Sequence, residues 1–297
     1  DSRLNGADLI IDQALINEHF PYLNPKTVAV LHARRCGSLS AQQMGMYLLE
    51  EARAKGVTFL TGAFSGVETS RGRVSGVRIK VNGREQTIRS DTVVLSTGPY
   101  LKSSAALLRA DLPIVVEKHI KISLADPKGV IPRTAPLIIW TDPIDLPWSV
   151  EEAAALMKSE ETRRLVKTFP AGVHGRPVGA GDQVLMYWTY DSESGDTPIY
   201  PLEWDPFLPE ITLRGMAVLV PGLRQYFDPM PKPYVDGGYY TKTPENRPLI
   251  GPLDLPGAYI CGAFSGFGIM ASCASGELLA KHVTSGDLPS YAPAFNP

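Results

Sequence analysis

The sequence predicts an α/β domain interrupted by a mainly antiparallel α+β insertion. Three observations carry this expectation. A capped helix over about 40–55 leads into short strands and a buried-type strand, Asp91 to Thr97, that ends on Gly98-Pro99. After Leu112 the texture changes to strand-like runs without a helix between each pair, which reads as an antiparallel sheet with helices on one side. The chain closes with strand Ala258–Cys261, the loop Gly262-Ala263-Phe264-Ser265-Gly266-Phe267-Gly268, and a helix from Ile269 through Val283. The expected division is 1–112 with 243–297 as one domain and 113–242 as the other.

Residues 1 to 36 are mixed, with Pro21 and Pro25 breaking any long helix. Ser40 is placed to cap the next helix, with Gln43 closing a capping box and Gly56 ending it. Met44, Tyr47, Leu48 and Ala52 recur at helical spacing and define its apolar face. Strands follow at Val57–Leu60, Phe64–Glu68, Arg73–Val81 and Arg84–Arg89. Asn82-Gly83 joins the last two as a two-residue hairpin turn. In the insertion, Pro113–Leu124, Ala135–Trp140 and Gln183–Tyr190 read as strands. Ser149 with Glu152 opens a charged helix expected through about Lys167, and Phe207 to Val220 reads as a helix stopped by Pro221-Gly222.

Composition narrows the function classes. A net charge of −2 gives no electrostatic reason to expect nucleic acid or an anionic membrane as partner. No apolar run approaches the ~18–20 residues of a membrane span. Three widely spaced cysteines, Cys36, Cys261 and Cys273, fit the cytoplasm or another reducing compartment better than a disulfide framework, and no Cys/His cluster suggests a metal. There is no signal-peptide pattern and no initiator Met, so the expectation is a processed chain or a fragment.

The closing strand, glycine loop and helix suit a large ligand that touches backbone, because glycine has no Cβ to hold it away and a helix start offers free N–H groups. A tight strand-to-helix turn is the plainer reading of a lone glycine loop. Two blocks together go further. The first runs from Gly37 to Gly98 and ends Asp91-Thr92-Val93-Val94-Leu95-Ser96-Thr97-Gly98. The second is Tyr240-Thr241-Lys242-Thr243-Pro244-Glu245-Asn246-Arg247-Pro248-Leu249-Ile250-Gly251, followed by Gly262 to Gly268. In this order they resemble the D-amino-acid oxidase and sarcosine oxidase superfamily of FAD-dependent oxidoreductases. The resemblance implies an FAD/NAD(P)-binding-like domain, here incomplete, with an inserted substrate domain. It also implies oxidation of a C–N bond of an amino acid or secondary amine, with hydride passing to flavin and electrons to oxygen or another acceptor.

By the same resemblance, Gly262, Phe264 and Ser265 through Met270 (Gly266, Phe267, Gly268 and Ile269 between them) would lie beside the flavin. Ser65 would fall near adenine, and Thr97 and Gly98 at the strand end that approaches the cofactor. Arg247 fits either a side chain near the flavin edge or a surface ion pair. For substrate, Tyr187, Tyr240, Phe267 and Met270 are the candidates, with Tyr187, Trp188 and Tyr190 reading equally as sheet-core aromatics. Hydride transfer needs alignment and a neutral amine, so no catalytic base is assigned. His119 and Lys121 share a strand face and read as a solvated edge.

Four departures from the family pattern bear on function. No G-x-G-x-x-G follows a strand, so the pyrophosphate grip is missing and these residues alone should hold FAD poorly; another chain could complete it. Gly238 stands where covalently flavinylated relatives have Cys, implying non-covalent FAD. Met270 stands where some amine oxidases place a Lys for the substrate carboxylate, which counts against a sarcosine-like substrate; Gln183–Tyr190 has no Lys where oxygen-activating relatives carry one, leaving dehydrogenase chemistry open. The alternative from a different class is a non-catalytic or partner-completed fragment that does not bind FAD alone.

Overall fold

The computed structural model of the protein describes residues 5–297. In chain order its elements are β1 (Ala7–Ile10), α1 (Gln13–His19), β2 (Val30–Ala33), α2 (Ala41–Ala54), β3 (Ala63–Ser70), β4 (Arg73–Val81), β5 (Arg84–Arg89), β6 (Val93–Leu95) and α3 (Leu101–Ala106). There follow β7 (Val115–Ala125), β8 (Ile138–Ile139), α4 (Val150–Leu156), α5 (Glu160–Arg163), β9 (His174–Pro177), β10 (Gln183–Tyr187) and β11 (Ser194–Gly195). The last are α6 (Leu208–Leu219), β12 (Tyr234–Lys242), β13 (Leu249–Pro252), β14 (Ala258–Gly262) and α7 (Gly268–Val283). Short 3-10 turns punctuate these, among them Gly98–Tyr100.

Contacts divide the chain into two compact units. The first holds the described residues up to Ser38 with His119–Ser192 and Leu202–Gly238; the second holds Leu39–Lys118, Glu193–Pro201 and Tyr239–Pro297. Compactness therefore groups residues up to 38 with the insertion, where the sequence reading had joined 1–112. The cause is local: Phe20 and Leu23 enter the first unit's core, and the Asn24 backbone N–H donates to the Leu219 carbonyl at 2.8 Å.

In the first unit, β7, β10, β9 and β8 pair antiparallel in that order. Alternation puts Ile120, Ile122, Leu124, Val184 and Met186 in the core while Lys121, Ser123, Leu185 and Tyr187 stay half-buried. The apolar helix α6 supplies Ile211, Met216 and Ala217 to the same core. Gly215 in α6 lets Trp188 lie against the helix backbone: a Cβ there would sit 2.4 Å from the indole ring. Asp126 is buried and fully used, accepting from the Val130 and Ile131 N–H groups and from the Tyr226 hydroxyl. Burial, reinforced by that carboxylate, pushes the Tyr226 phenol up to about 12.

The long helix expected from Ser149 is broken. Its start is as predicted, with Ser149 and Glu152 forming a full capping box. It stops at Leu156, whose carbonyl accepts from the Thr162 hydroxyl at 2.7 Å, and Ser159 is extended before α5. Side-chain oxygens that bond nearby backbone compete with helix continuation in this way.

In the second unit, β13 pairs antiparallel with β14, and β14 pairs parallel with β6. The meander β3-β4-β5 turns at Asn82 and Gly83, both at positive φ (50° and 76°), as a type I′ turn requires. Val74, Leu95, Leu101, Ile114 and Ile260 make its core, and Ile250 and Leu278 join α7 to β13. Helix α2 forms where predicted, and the Ser40 hydroxyl accepts from the Gln43 N–H. None of its residues is buried, so the face carrying Tyr47 and Leu48 is exposed. Val57–Leu60 is not a strand: no described strand pairs with it, and Val57, Phe59 and Leu60 are exposed.

Candidate flavin cleft

The site is built where two parallel strands end side by side. β6 delivers the chain to Gly98 and β14 delivers it to Gly262, with the Ser96 hydroxyl donating to the Cys261 carbonyl at 3.0 Å between them. A cleft of about 510 Å³ opens there. Gly98, the loop from Gly262 to Gly266, and Gly268 form one side of it, and Tyr239–Thr241 another.

The loop conformation explains its composition. Ala263, Ser265 and Gly266 all have positive φ (60°, 51° and 99°). For a non-glycine residue this region is uncommon and costs about 1–2 kcal/mol, so two in one short loop are strained backbone at a site. The strain is held by the Ser265 N–H donating to the Thr241 carbonyl at 3.0 Å and by Tyr240, whose ring lies on Gly266. Phe267 caps α7 without a side-chain oxygen, leaving the helix start without a side-chain acceptor.

Ser96, Cys261, Ser272, Ser275, Gly276 and Leu279 also line the cleft; the sequence reading assigned none of them to the site, taking the small residues Ser272, Ser275 and Gly276 as letting α7 lie close against another backbone. The signal was there: Gly268, Ser272, Ser275, Gly276 and Leu279 follow helical spacing, so one stripe of α7 faces the cleft. Burial pushes the Cys261 thiol up, with a hydrogen bond involving Ser96 acting against it. Cys261 is therefore a neutral wall residue, not a thiolate.

Of the predicted residues, Gly98, Tyr240, Gly262, Phe264, Ser265, Gly266 and Gly268 come together in the cleft. Thr97, Phe267, Ile269 and Met270 are adjacent in sequence but are not part of its lining, and Met270 is 80% exposed. Ser65 is on β3, its hydroxyl donating to Glu85 at 3.1 Å. Arg247 is exposed at a turn closed by Thr243, and its side chain has no ion-pair partner among the described residues. Tyr187 lies in the first unit, its ring stacked on His174 with centroids 5.0 Å apart.

That stack makes a pH prediction. Burial holds the His174 imidazole below its ordinary value of 6.5, so the unfolded chain binds its proton first as pH falls. Its neutral state thus favours folding fully above about 6.5, and this contribution fades as pH drops through the lower folded value. Unfolding midpoints at pH 7.5 and 5.0 are expected to fall less in His174→Gln than in wild type; an equal fall means the histidine does not titrate on unfolding.

The cleft fits the ring end of a flavin on three counts. The Ser265 hydroxyl, which lines the cleft, is buried with no hydrogen-bond partner. A Cβ at Gly98 or Gly276 would meet nothing within 4 Å, so both leave open space at the cleft wall. The helix start adds partial positive charge suited to an electron-rich ligand edge. Among the described residues no three His, Cys, Asp or Glu side chains are grouped to hold a metal, and no helix is long and apolar enough to cross a membrane.

Strand ends, glycine loop and helix start define a dinucleotide-flavin type of architecture, and comparison with known proteins agrees. The family model for FAD dependent oxidoreductases (DAO) matches residues 1–282, and the chain belongs to that family. The structure is similar to L-proline dehydrogenase from P. horikoshii, with a TM-score of 0.73 and 20% identity, covering 98% of this chain and 68% of that one. It is also similar to glycine oxidase from Bacillus cereus ATCC 14579 (TM-score 0.69, 13% identity, 99% and 69%). A third is iminodiacetate oxidase from Chelativorans sp. BNC1 (0.69, 15%, 99% and 68%). At these identities the likeness is one of fold, and the chain spans about two thirds of each of these structures. The search of curated proteins gives no match.

Proposed function

We propose that the chain forms the flavin-facing wall and the substrate domain of an enzyme that oxidises a C–N bond of an amino acid or secondary amine. The observation that carries this is the cleft itself: two parallel strand ends, a strained glycine loop and the orphaned Ser265 hydroxyl shortly before α7. When bound, FAD accepts the hydride and passes electrons to oxygen or another acceptor.

The chain's own residues bind and align. The Gly262–Gly268 loop and the α7 start offer N–H groups to the ring's polar edge, Gly98 and Gly276 leave it room, and Tyr240 fixes the loop. Gly238, which has open space at its Cβ position, offers no side chain for a covalent link, supporting non-covalent FAD. No base is required of the chain, since an amine that arrives neutral loses its hydride by alignment alone. The pyrophosphate grip, with no G-x-G-x-x-G here, is supplied from outside these 297 residues, by the same polypeptide or another.

The test is the visible spectrum of the full protein with added FAD, followed by anaerobic addition of an amino-acid and amine panel. Yellow protein that bleaches with one class supports the reading. A protein that stays colourless sinks it, and one that binds FAD but never bleaches supports a non-catalytic flavin module instead.

A further inference from the structure

The segment Glu193–Pro201 belongs to the second unit although the residues on either side of it do not. It is strapped down at four places. β11 pairs with Val116 and Glu117 of β7, and the Ser194 hydroxyl donates to Glu117. Asp196 pairs with Lys102 at 2.6 Å. The Tyr239 hydroxyl donates to the Ile199 carbonyl at 2.9 Å and accepts from the Ile199 N–H at 3.0 Å. The Tyr200 ring meets the Tyr239 ring edge-on at 5.6 Å.

These fastenings matter because of what they hold. Tyr239 is a cleft residue, and neighbours on a strand point to opposite faces, so the stretch that clasps the glycine loop with Tyr240 clasps the strap with Tyr239. At the other end, Lys102 anchors the strap two residues after Tyr100, which directly follows Gly98-Pro99 at the cleft. The strap tip exposes apolar groups: Ile199 is 72% exposed, Tyr200 53% and Tyr100 50%. Burial first, and then Tyr100 and Tyr239, raise the Tyr200 phenol, so its hydroxyl stays neutral near neutral pH.

We propose that Tyr100, Ile199 and Tyr200, fixed by the Tyr239 latch, form an apolar and aromatic shelf at the cleft edge that takes the side group of the amine substrate. The shelf selects amines with an aromatic or extended apolar substituent over small ones. This rests on the amine-oxidation reading for its ligand, and binding without turnover tests it separately.

Fluorine NMR of the full protein with added FAD reads binding of 4-fluorobenzylamine against 2,2,2-trifluoroethylamine. Tyr200→Ala leaves both Tyr239–Ile199 bonds in place. It is expected to weaken 4-fluorobenzylamine roughly ten-fold, the scale of one aromatic contact, and to leave the small amine unchanged. Tyr239→Phe keeps the ring and removes the latch. It is expected to speed cleavage after Glu193 by a glutamate-specific protease and to weaken the aromatic amine alone. Unchanged 4-fluorobenzylamine binding in Tyr200→Ala, or an equal loss for both amines, overturns the shelf, as does a latch variant cleaved at the wild-type rate. Tyr200-dependent binding with no flavin bleaching by any amine upholds the shelf and defeats the oxidation reading.

Discussion

Arg214→Ala is expected to destabilise the first unit by about 3–4 kcal/mol, the range for emptying a large buried site. Arg214 is almost wholly buried in α6, its guanidinium 3.7 Å from the Trp148 ring centroid and 4.4 Å from that of Phe227. It also binds Glu152 at 2.6 Å, Glu210 at 3.0 Å and the Pro147 carbonyl. The two carboxylates are 43% and 41% exposed, so water replaces their partner and each pair contributes no more than about 1 kcal/mol. The desolvated double stack, about 2 kcal/mol, and the cavity therefore dominate. A variant series separates the effects. Arg214→Met, which refills the volume, should lose less than Arg214→Ala, whereas Glu210→Gln should lose under about 1 kcal/mol. All four tryptophans (Trp140, Trp148, Trp188, Trp204) lie in this unit, so indole fluorescence in urea reports on it directly. If Glu210→Gln cost as much as Arg214→Ala, the ion pairs and not the stack would hold α4 to α6.

The same residue gives the unit an acid sensitivity. The Arg214 hydrogen bond, then the Ser149 N–H, hold the Glu152 carboxyl below its ordinary 4.5. Its stabilising contribution is complete above about 4.5 and fades as pH falls through the lower folded value. Arg214→Ala should flatten that acid limb.

Local chemistry was legible in the sequence where one or two residues decide a conformation. Asn82-Gly83 turns the hairpin because both positions need positive φ, and Ser149 with Glu152 caps α4 because the spacing closes two hydrogen bonds at once. The strand–loop–helix at Ala258–Val283 was legible for the same reason. Features that depend on distant partners were not. Val57–Leu60 has strand composition but no described strand beside it, and a strand exists only through its pairing. The β1–β2 pair links Ala7 to Ala33 across a helix and two prolines, with no periodic signal to announce it. The strap at Glu193–Pro201 is polar loop sequence whose role depends on Tyr239, some forty positions away. Within the site, Ser265 and Gly266 were found because glycine marks the loop. Cys261 and Ser275 were missed because small buried residues look the same whether they pack a core or floor a cleft.

Gly266→Ala is expected to cost about 2–4 kcal/mol and to abolish flavin retention. Two penalties coincide at this position. The backbone sits at φ 99°, a conformation that costs an L-residue about 1–2 kcal/mol, and the new methyl would lie 2.4 Å from the Tyr240 ring. Either the ring or the loop must yield, and the loop is already strained at Ala263 and Ser265, so it has the least reserve. Gly276→Ala supplies the contrast. That glycine is inside α7 at ordinary helical φ with open space around its Cβ position, so alanine should stabilise the free protein by up to about 1 kcal/mol. Yet Gly276 lines the cleft, and the added methyl would occupy ligand space. The two variants thus move thermal stability in opposite directions while both weaken FAD binding, measured by fluorescence titration of the full protein. A Gly276→Ala protein that is more stable and binds FAD as tightly as wild type would show that this stripe of α7 does not face the cofactor. Gly266→Ala with normal FAD affinity would remove the glycine loop from the site altogether.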